Sequence, residues 1–160
     1  MIPDYRILLT ALKEAEVEFA IVGGIALVLR GSSRVTLDLD VAYARDRENL
    51  KRLAKALKPF SPALRGAPPG LPFVLDAPTL QSGLNFTLTS TVGDIDLLGE
   101  IAGLGAFSVV ARFARPMEVY GLSMNVLSLD GLERAKRAAG RLKDLADLEE
   151  ILALRKRARD

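Results

Sequence analysis

Two stretches of this 160-residue chain seat pairs of aspartates in runs that otherwise alternate with apolar residues, Thr36-Leu37-Asp38-Leu39-Asp40-Val41 and Gly93-Asp94-Ile95-Asp96-Leu97-Leu98. Period-two alternation is the signature of a strand, in which residues two apart share a face. Asp38 and Asp40 therefore project to one side while Leu39 and Val41 project to the other, and Asp94 and Asp96 repeat the arrangement. The two acids of a pair are spaced by about 6.6 Å, at a rise of about 3.3 Å per residue. Held that close they repel unless a cation lies between them, and a divalent metal reached from both sides is one solution. An ordinary strand face turned to water is the other. Two such strands side by side would gather three or four carboxylates, which is hard to justify as surface decoration.

The remaining pattern predicts a sheet with helices around it. Residues 4–17 carry Ile7, Leu8, Ala11, Leu12 and Ala15 on one helical face, residues 18–22 form a short apolar strand, and Gly23-Gly24 turns it into a short helix that ends near Gly31. Residues 35–43 are predicted as the strand of the first acid pair. Asp46 caps the next helix, whose buried face is Leu50, Leu53, Ala54 and Leu57, and Pro59 stops it. Residues 60–78, rich in proline and glycine, are predicted as a loop suited to gating a substrate. Residues 84–98 and 117–127 read as two hairpins, while 103–114 reads equally as helix or loop. Residues 132–157 are helical with a break at Gly140, and Leu142, Leu145, Leu148, Ile151 and Leu152 are predicted as one apolar stripe. The expected fold class is α/β (α+β), a mixed central sheet flanked by helices, in a single domain over 1–160 with 130–160 as a C-terminal helical segment.

Composition narrows the chemistry. With 49 % hydrophobic and 26 % charged residues the chain can bury a core. It has no His and no Cys, which excludes disulfides, thiolate or imidazole metal ligands, and proton transfer through imidazole. Catalysis here must use carboxylates, Lys, hydroxyl groups or a metal held by oxygen. The formal charge is only +2, and with nothing titrating near neutrality a pI of about 9.0 says little about nucleic acid. The small basic excess falls in residues 130–160, where acids interleave it, as on a solvated helix face. No long apolar run is present and the N-terminal stretch is too charged for a signal peptide, so the expected location is cytoplasmic, with no membrane contact.

A glycine pair between strand and helix lets backbone N–H groups approach a phosphate, although a tight turn alone would also explain it. Here Gly23-Gly24 is followed by a 13-residue spacer, then Asp38-Leu39-Asp40, then a later acid in the GDIDLL run. In this order the chain resembles the nucleotidyltransferase superfamily of DNA polymerase beta type. More narrowly it resembles small stand-alone bacterial nucleotidyltransferase-like proteins related to abortive-infection and toxin–antitoxin systems. Gly23, Gly24, Ala26 and the run from Gly31 to Asp40 carry that resemblance at one end. Lys136, Gly140, Arg141, Lys143, Asp144 and Asp147 carry it at the other.

The resemblance implies a nucleotidyltransferase fold and transfer of a nucleoside monophosphate from an NTP to an acceptor, which could be an RNA such as tRNA, a protein side chain or a small molecule such as an aminoglycoside. It implies one or two Mg²⁺ held by Asp38, Asp40 and Asp96, with Asp96 preferred over Asp94 as the third acid and able to take the acceptor's proton. Gly23 and Gly24 would offer backbone donors to the triphosphate, and Lys136, Arg141, Lys143 and Arg34 are the candidate cations. Lys136 and Lys143 are seven apart, which would put them near one helix face if Gly140 does not redirect the chain, and an ordinary i,i+4 pair of Lys143 with Asp147 is the competing reading. Active members of the family often carry Ser after the first Gly, where this chain continues Gly24-Ile25. That departure supports an alternative, a catalytically silent regulatory or antitoxin-like binding module of the same fold.

Overall fold

The computed structural model describes residues 4–159. Its centre is a seven-stranded mixed sheet whose strands lie side by side in the order 63–64, 85–89, 94–98, 38–43, 19–22, 122–127 and 114–119. The chain enters through α1 (Tyr5–Glu14), capped by Asp4, whose side chain accepts from the Arg6 N–H. β1 (Phe19–Val22) is followed by α2 (Gly23–Leu29) and β2 (Asp38–Tyr43), which pairs antiparallel with β1. Next come α3 (Arg47–Leu57), a single turn of 3-10 helix at Lys58–Phe60, the two-residue edge strand β3 (Ala63–Leu64) and α4 (Ala77–Ser82).

β4 (Asn85–Thr89) and β5 (Asp94–Leu98) form the expected hairpin, and β5 lies parallel to β2. A small two-stranded ribbon, β6 (Glu100–Ile101) with β7 (Gly105–Ala106), leads into α5 (Phe107–Phe113). The second hairpin, β8 (Ala114–Val119) with β9 (Leu122–Leu127), closes the far edge, β9 running parallel to β1. The chain finishes in α6 (Leu129–Ala139) and α7 (Leu142–Arg159).

The apolar positions of the sheet and of the helices form one core. Leu8, Leu9 and Leu12 of α1 and Leu50, Leu53 and Leu57 of α3 are fully or almost fully buried in the same cluster as Leu39 and Val41 of β2 and Ile95 and Leu97 of β5. Truncating any of these leucines to Ala removes packing worth about 2–5 kcal/mol. Alternation does the rest: with Leu39, Val41, Ile95 and Leu97 in the core, Asp38, Asp40, Asp94 and Asp96 must stand on the other face. Asn49 pins the entry to β1, for its buried side chain accepts from the Glu18 N–H at 2.7 Å and donates to the Ala44 carbonyl at 2.7 Å.

Four expectations change. The strand of the first acid pair starts at Asp38 rather than residue 35, and Val35 and Leu37 are 89 % and 66 % exposed, because no partner strand extends that far. Residues 103–114 resolve into β7 and α5. The region 60–78 is not all loop, since β3 joins the sheet edge and α4 begins at Ala77. The inward face of α7 is Asp144, Asp147, Ile151 and Leu154, whereas Leu142, Leu145 and Leu152 are exposed. Buried ion pairs, which hydrophobic periodicity cannot register, decide that helix's orientation. Among the described residues, no helix is long and apolar enough to cross a membrane.

Candidate active site

The site is set by strand register. β2 and β5 run parallel with Asp38 opposite Asp94 and Asp40 opposite Asp96, so the two acid pairs become a two-by-two block of carboxylates on one sheet face. Asp40 stands directly opposite Asp96, so the two carboxyl groups act on each other's charge. Burial first, then the charge of Asp96, a hydrogen bond with it and the charge of Asp38, together push the Asp40 carboxyl up to about 7 against the opposing pull of Lys136.

Gly23 explains its own place in the motif. Its φ is +64°, a left-handed conformation that favours glycine, and a side chain there would collide with the Asp40 carboxylate. Gly24 is a packing glycine, for an added Cβ would come within 2.9 Å of the Thr36 hydroxyl. Together they let α2 start directly against the first acid strand. The N-terminus of α2 has no side-chain cap.

Asp40 and Gly23 open into a cleft of about 260 Å³ whose other walls include Glu100, Lys136 and Arg141, with an apolar floor of residues such as Leu127 and Leu132. A roomier hollow of about 510 Å³ lies between α3 and residues 73–77, lined by Lys51, Lys55, Lys58 and Phe73. It holds none of the four strand carboxylates, whereas the smaller cleft reaches Asp40.

The predicted cations are divided. Lys136 reaches the cleft while its ammonium pairs with Asp144 at 3.3 Å and Asp147 at 2.8 Å. Arg141 also lines the cleft and donates to Asp144 at 2.7 Å. Arg34 is turned away, its guanidinium bound to Asp147 at 2.6 Å. Lys143 is exposed and, among the described residues, makes no ion pair, so the expected Lys143–Asp147 pair gives way to contacts of Asp147 with Arg34 and Lys136. Lys136 and Lys143 do not share a helix face either, because Gly140, at φ +63°, ends α6 and redirects the chain.

Arg65 is the group that the sequence reading missed. Its guanidinium donates to Asp96 at 2.7 Å and lies 3.3 Å from Asp94 and 3.9 Å from Asp38. Burial works against its charge, but the hydrogen bond to Asp96 and the attraction of Asp96, Asp94 and Asp38 raise its pKa above the usual arginine value. Tyr5, from the start of α1, adds a hydroxyl that donates to the Thr36 carbonyl at 3.0 Å; burial, then Asp38, Asp94 and Asp40, raise its pKa. Only the proline- and glycine-rich character of residues 60–78 hinted that a side chain there would matter.

The donor set suits a hard divalent cation such as Mg²⁺, since every ligand on offer is a carboxylate oxygen and Asp40 with Asp96 is a partly buried like-charged pair. Among the described residues, however, no group of three acids stands ready to hold an ion, and Arg65 pairs with Asp96, Asp94 and Asp38.

No protein-family profile matches the chain, and no curated protein matches it in sequence. Solved structures do match its fold. A lincosamide antibiotic adenylyltransferase, LnuA, solved with lincomycin bound, aligns over 96 % of this chain and 99 % of its own, with a TM-score of 0.62 and 13 % identity. TM1012 from Thermotoga maritima, named a candidate nucleotidyltransferase, aligns over 93 % and 90 %, with a TM-score of 0.60 and 18 % identity. ANT(2")-Ia, solved in complex with adenylyl-2"-tobramycin, aligns over 96 % of both chains with a TM-score of 0.57 and 14 % identity. The chain has the fold of the nucleotidyltransferases, and its structural neighbours include adenylyltransferases.

Proposed function

We propose that this protein is a metal-dependent nucleotidyltransferase that moves a nucleoside monophosphate from an NTP to an acceptor hydroxyl. The observation that carries the proposal is the register of β2 against β5, which sets Asp40 beside Asp96, with Asp38 next along the strand and Gly23 against the Asp40 carboxylate. When bound, Mg²⁺ held by Asp38, Asp40 and Asp96 would stabilise charge on the phosphates and favour ionisation of the acceptor hydroxyl. The chain's own groups do the remainder. Asp96 accepts the proton that the acceptor oxygen loses as that oxygen bonds to the α-phosphorus and the bond to pyrophosphate breaks. Lys136 and Arg141 bring positive charge to the cleft where the leaving phosphates would lie, and Gly23 and Gly24 keep side chains out of the way.

The acceptor falls in three classes: a tRNA or other RNA, a protein side chain, or a small polyhydroxylated molecule. The likeness to LnuA and ANT(2")-Ia, whose ligands are a lincosamide and an adenylylated aminoglycoside, puts the small molecule first and ATP first among donors. The test is incubation with each labelled NTP, Mg²⁺ and, in parallel, total tRNA, lysate protein, lincomycin and tobramycin, against the Asp38→Ala/Asp40→Ala double variant. Label should move to one acceptor class with the native chain only. Transfer undiminished in the double variant would sink the role given to these carboxylates.

Two observations favour a second reading, a catalytically silent module that binds a partner, as an antitoxin-like protein would. Gly24 follows the first Gly where active members often have Ser, and Arg65 is already paired into the acid block. Nucleotide binding by calorimetry without transfer to any of the four acceptors would select it.

A further inference from the structure

Arg65 reaches the acids from two strands away. β3 is an edge strand paired to β4, the Arg65 N–H donates to the Thr87 carbonyl, Thr87 lies opposite Asp96, and Asp96 lies opposite Asp40. Residues 65, 87, 96 and 40 thus form one row across four strands. At about 4.8 Å between neighbouring strands, some 10 Å separate the backbones of Arg65 and Asp96. Among side chains of that length only arginine carries a planar fork able to touch several carboxylates at once.

The fork is also anchored. The Nη atom that binds Asp96 donates to the Leu88 carbonyl at 2.8 Å, fixing the guanidinium to β4. Its Nε is buried and makes no hydrogen bond, although Asp94 lies 3.3 Å away, so the group is shared among three acids rather than seated squarely on one. A guanidinium held this way offsets part of the block's negative charge and ties Asp96, with Asp94 and Asp38 close by, to the β3 side of the sheet.

We propose that Arg65 is a positioning residue acting as a built-in counter-cation: it holds Asp96, Asp94 and Asp38 in place and opposes entry of a divalent ion, so that it sets the divalent affinity of the site. This rests on the reading of Asp38, Asp40 and Asp96 as metal ligands. Two cations that draw on the same carboxylates repel, and the oxygen that Arg65 occupies on Asp96 is denied to the ion. Divalent binding is then coupled to release of the guanidinium, and the site engages metal only at concentrations high enough to displace it.

The experiment is calorimetric titration of the full chain with Mg²⁺ and with Mn²⁺, on the native protein, Arg65→Gln and Arg65→Lys, with melting curves in chelator and in saturating Mg²⁺. Arg65→Gln should bind the ion about tenfold or more tighter than the native chain. It should also melt lower in chelator and gain more from Mg²⁺. Arg65→Lys, which keeps the charge and loses the fork, should fall between, and it carries the test if the Gln variant does not fold. Unchanged or weaker affinity in the variants overturns the role of Arg65 while leaving the metal site standing. No divalent binding by any of the three proteins overturns the metal reading itself, and the inference with it.

Discussion

Two acid clusters sit within reach of Lys136, and they are opposites. In the sheet block, Asp38, Asp40, Asp94 and Asp96 outnumber Arg65, the one cation paired with them among the described residues, and the result is an Asp40 that burial and its neighbours push up to about 7. In the α6–α7 corner, Asp144 and Asp147 are surrounded by Lys136, Arg141 and Arg34, and Asp144 is held down to about 2, chiefly by its hydrogen bond to Arg141. One cluster lacks positive charge and the other is saturated with it. A site short of cations is poised to take up an ion or a proton, whereas a satisfied one only holds two helices together. Lys136 joins them, because the pairs that fix it to the corner aim it into the cleft beside Asp40.

Neutralising one acid in each cluster tests that contrast most directly. Asp40→Asn should lower nucleotidyl transfer by about 10³-fold, since it removes a ligand from the charge-stabilising centre. In chelator at neutral pH the same variant should melt no lower than the native protein, because it relieves repulsion. A large loss of stability there would mean that Asp40 is held by structural pairing after all. Asp144→Asn should do the reverse, lowering the melting temperature by about 10 °C because it strips charge from a buried, multiply paired carboxylate. Transfer by the folded fraction should fall far less. If Asp144→Asn abolished transfer at full stability, the corner would belong to the active site.

Much of this was legible beforehand, for identifiable reasons. Alternation and glycine placement are local, and they gave the acid strands, the turn at Gly23, the cap at Asp46 and the break at Gly140. What stayed hidden depends on register and on long side chains. Nothing in the run around Arg65 tells that Thr87 and Asp96 will lie in its row, because pairing of β3 to β4 is a long-range event over a two-residue strand. α7 misled for a related reason: its apolar stripe obeys helical spacing, yet two buried aspartates turned it by binding Arg34, Lys136 and Arg141.

The clusters should also part company with pH. Asp40 has a folded pKa above its unfolded value of 3.8, so its contribution is present below about pH 4 and is lost as pH rises through about 7. Asp144 has a folded pKa below 3.8, so its contribution is present above about pH 4 and is lost as pH falls through about 2. Urea unfolding in chelator should therefore show a decline between pH 4 and 7, on the order of 2 kcal/mol, that Asp40→Asn flattens. An acid limb below pH 4 should be flattened by Asp144→Asn instead. A native profile that rises from pH 4 to 7 and is unmoved by Asp40→Asn would contradict the strained state of the sheet block.

The smallest expected effect concerns Lys136 and Lys143, the two lysines on either side of the break at Gly140. Lys143 is exposed and, among the described residues, belongs to neither cluster, so Lys143→Ala should change stability by no more than about 0.5 kcal/mol. NTP affinity should stay within about twofold, since a solvated charge outside the cleft is screened over roughly a Debye length. Lys136→Gln should act on both clusters at once: it removes the attraction that steadies ionised Asp40 and leaves Asp147 one partner short. The pair of variants thus measures how far the basic surface around the cleft extends. A loss of NTP affinity in Lys143→Ala as large as that in Lys136→Gln would place the start of α7 in the phosphate path, and the corner would then be a binding element as well as a clasp.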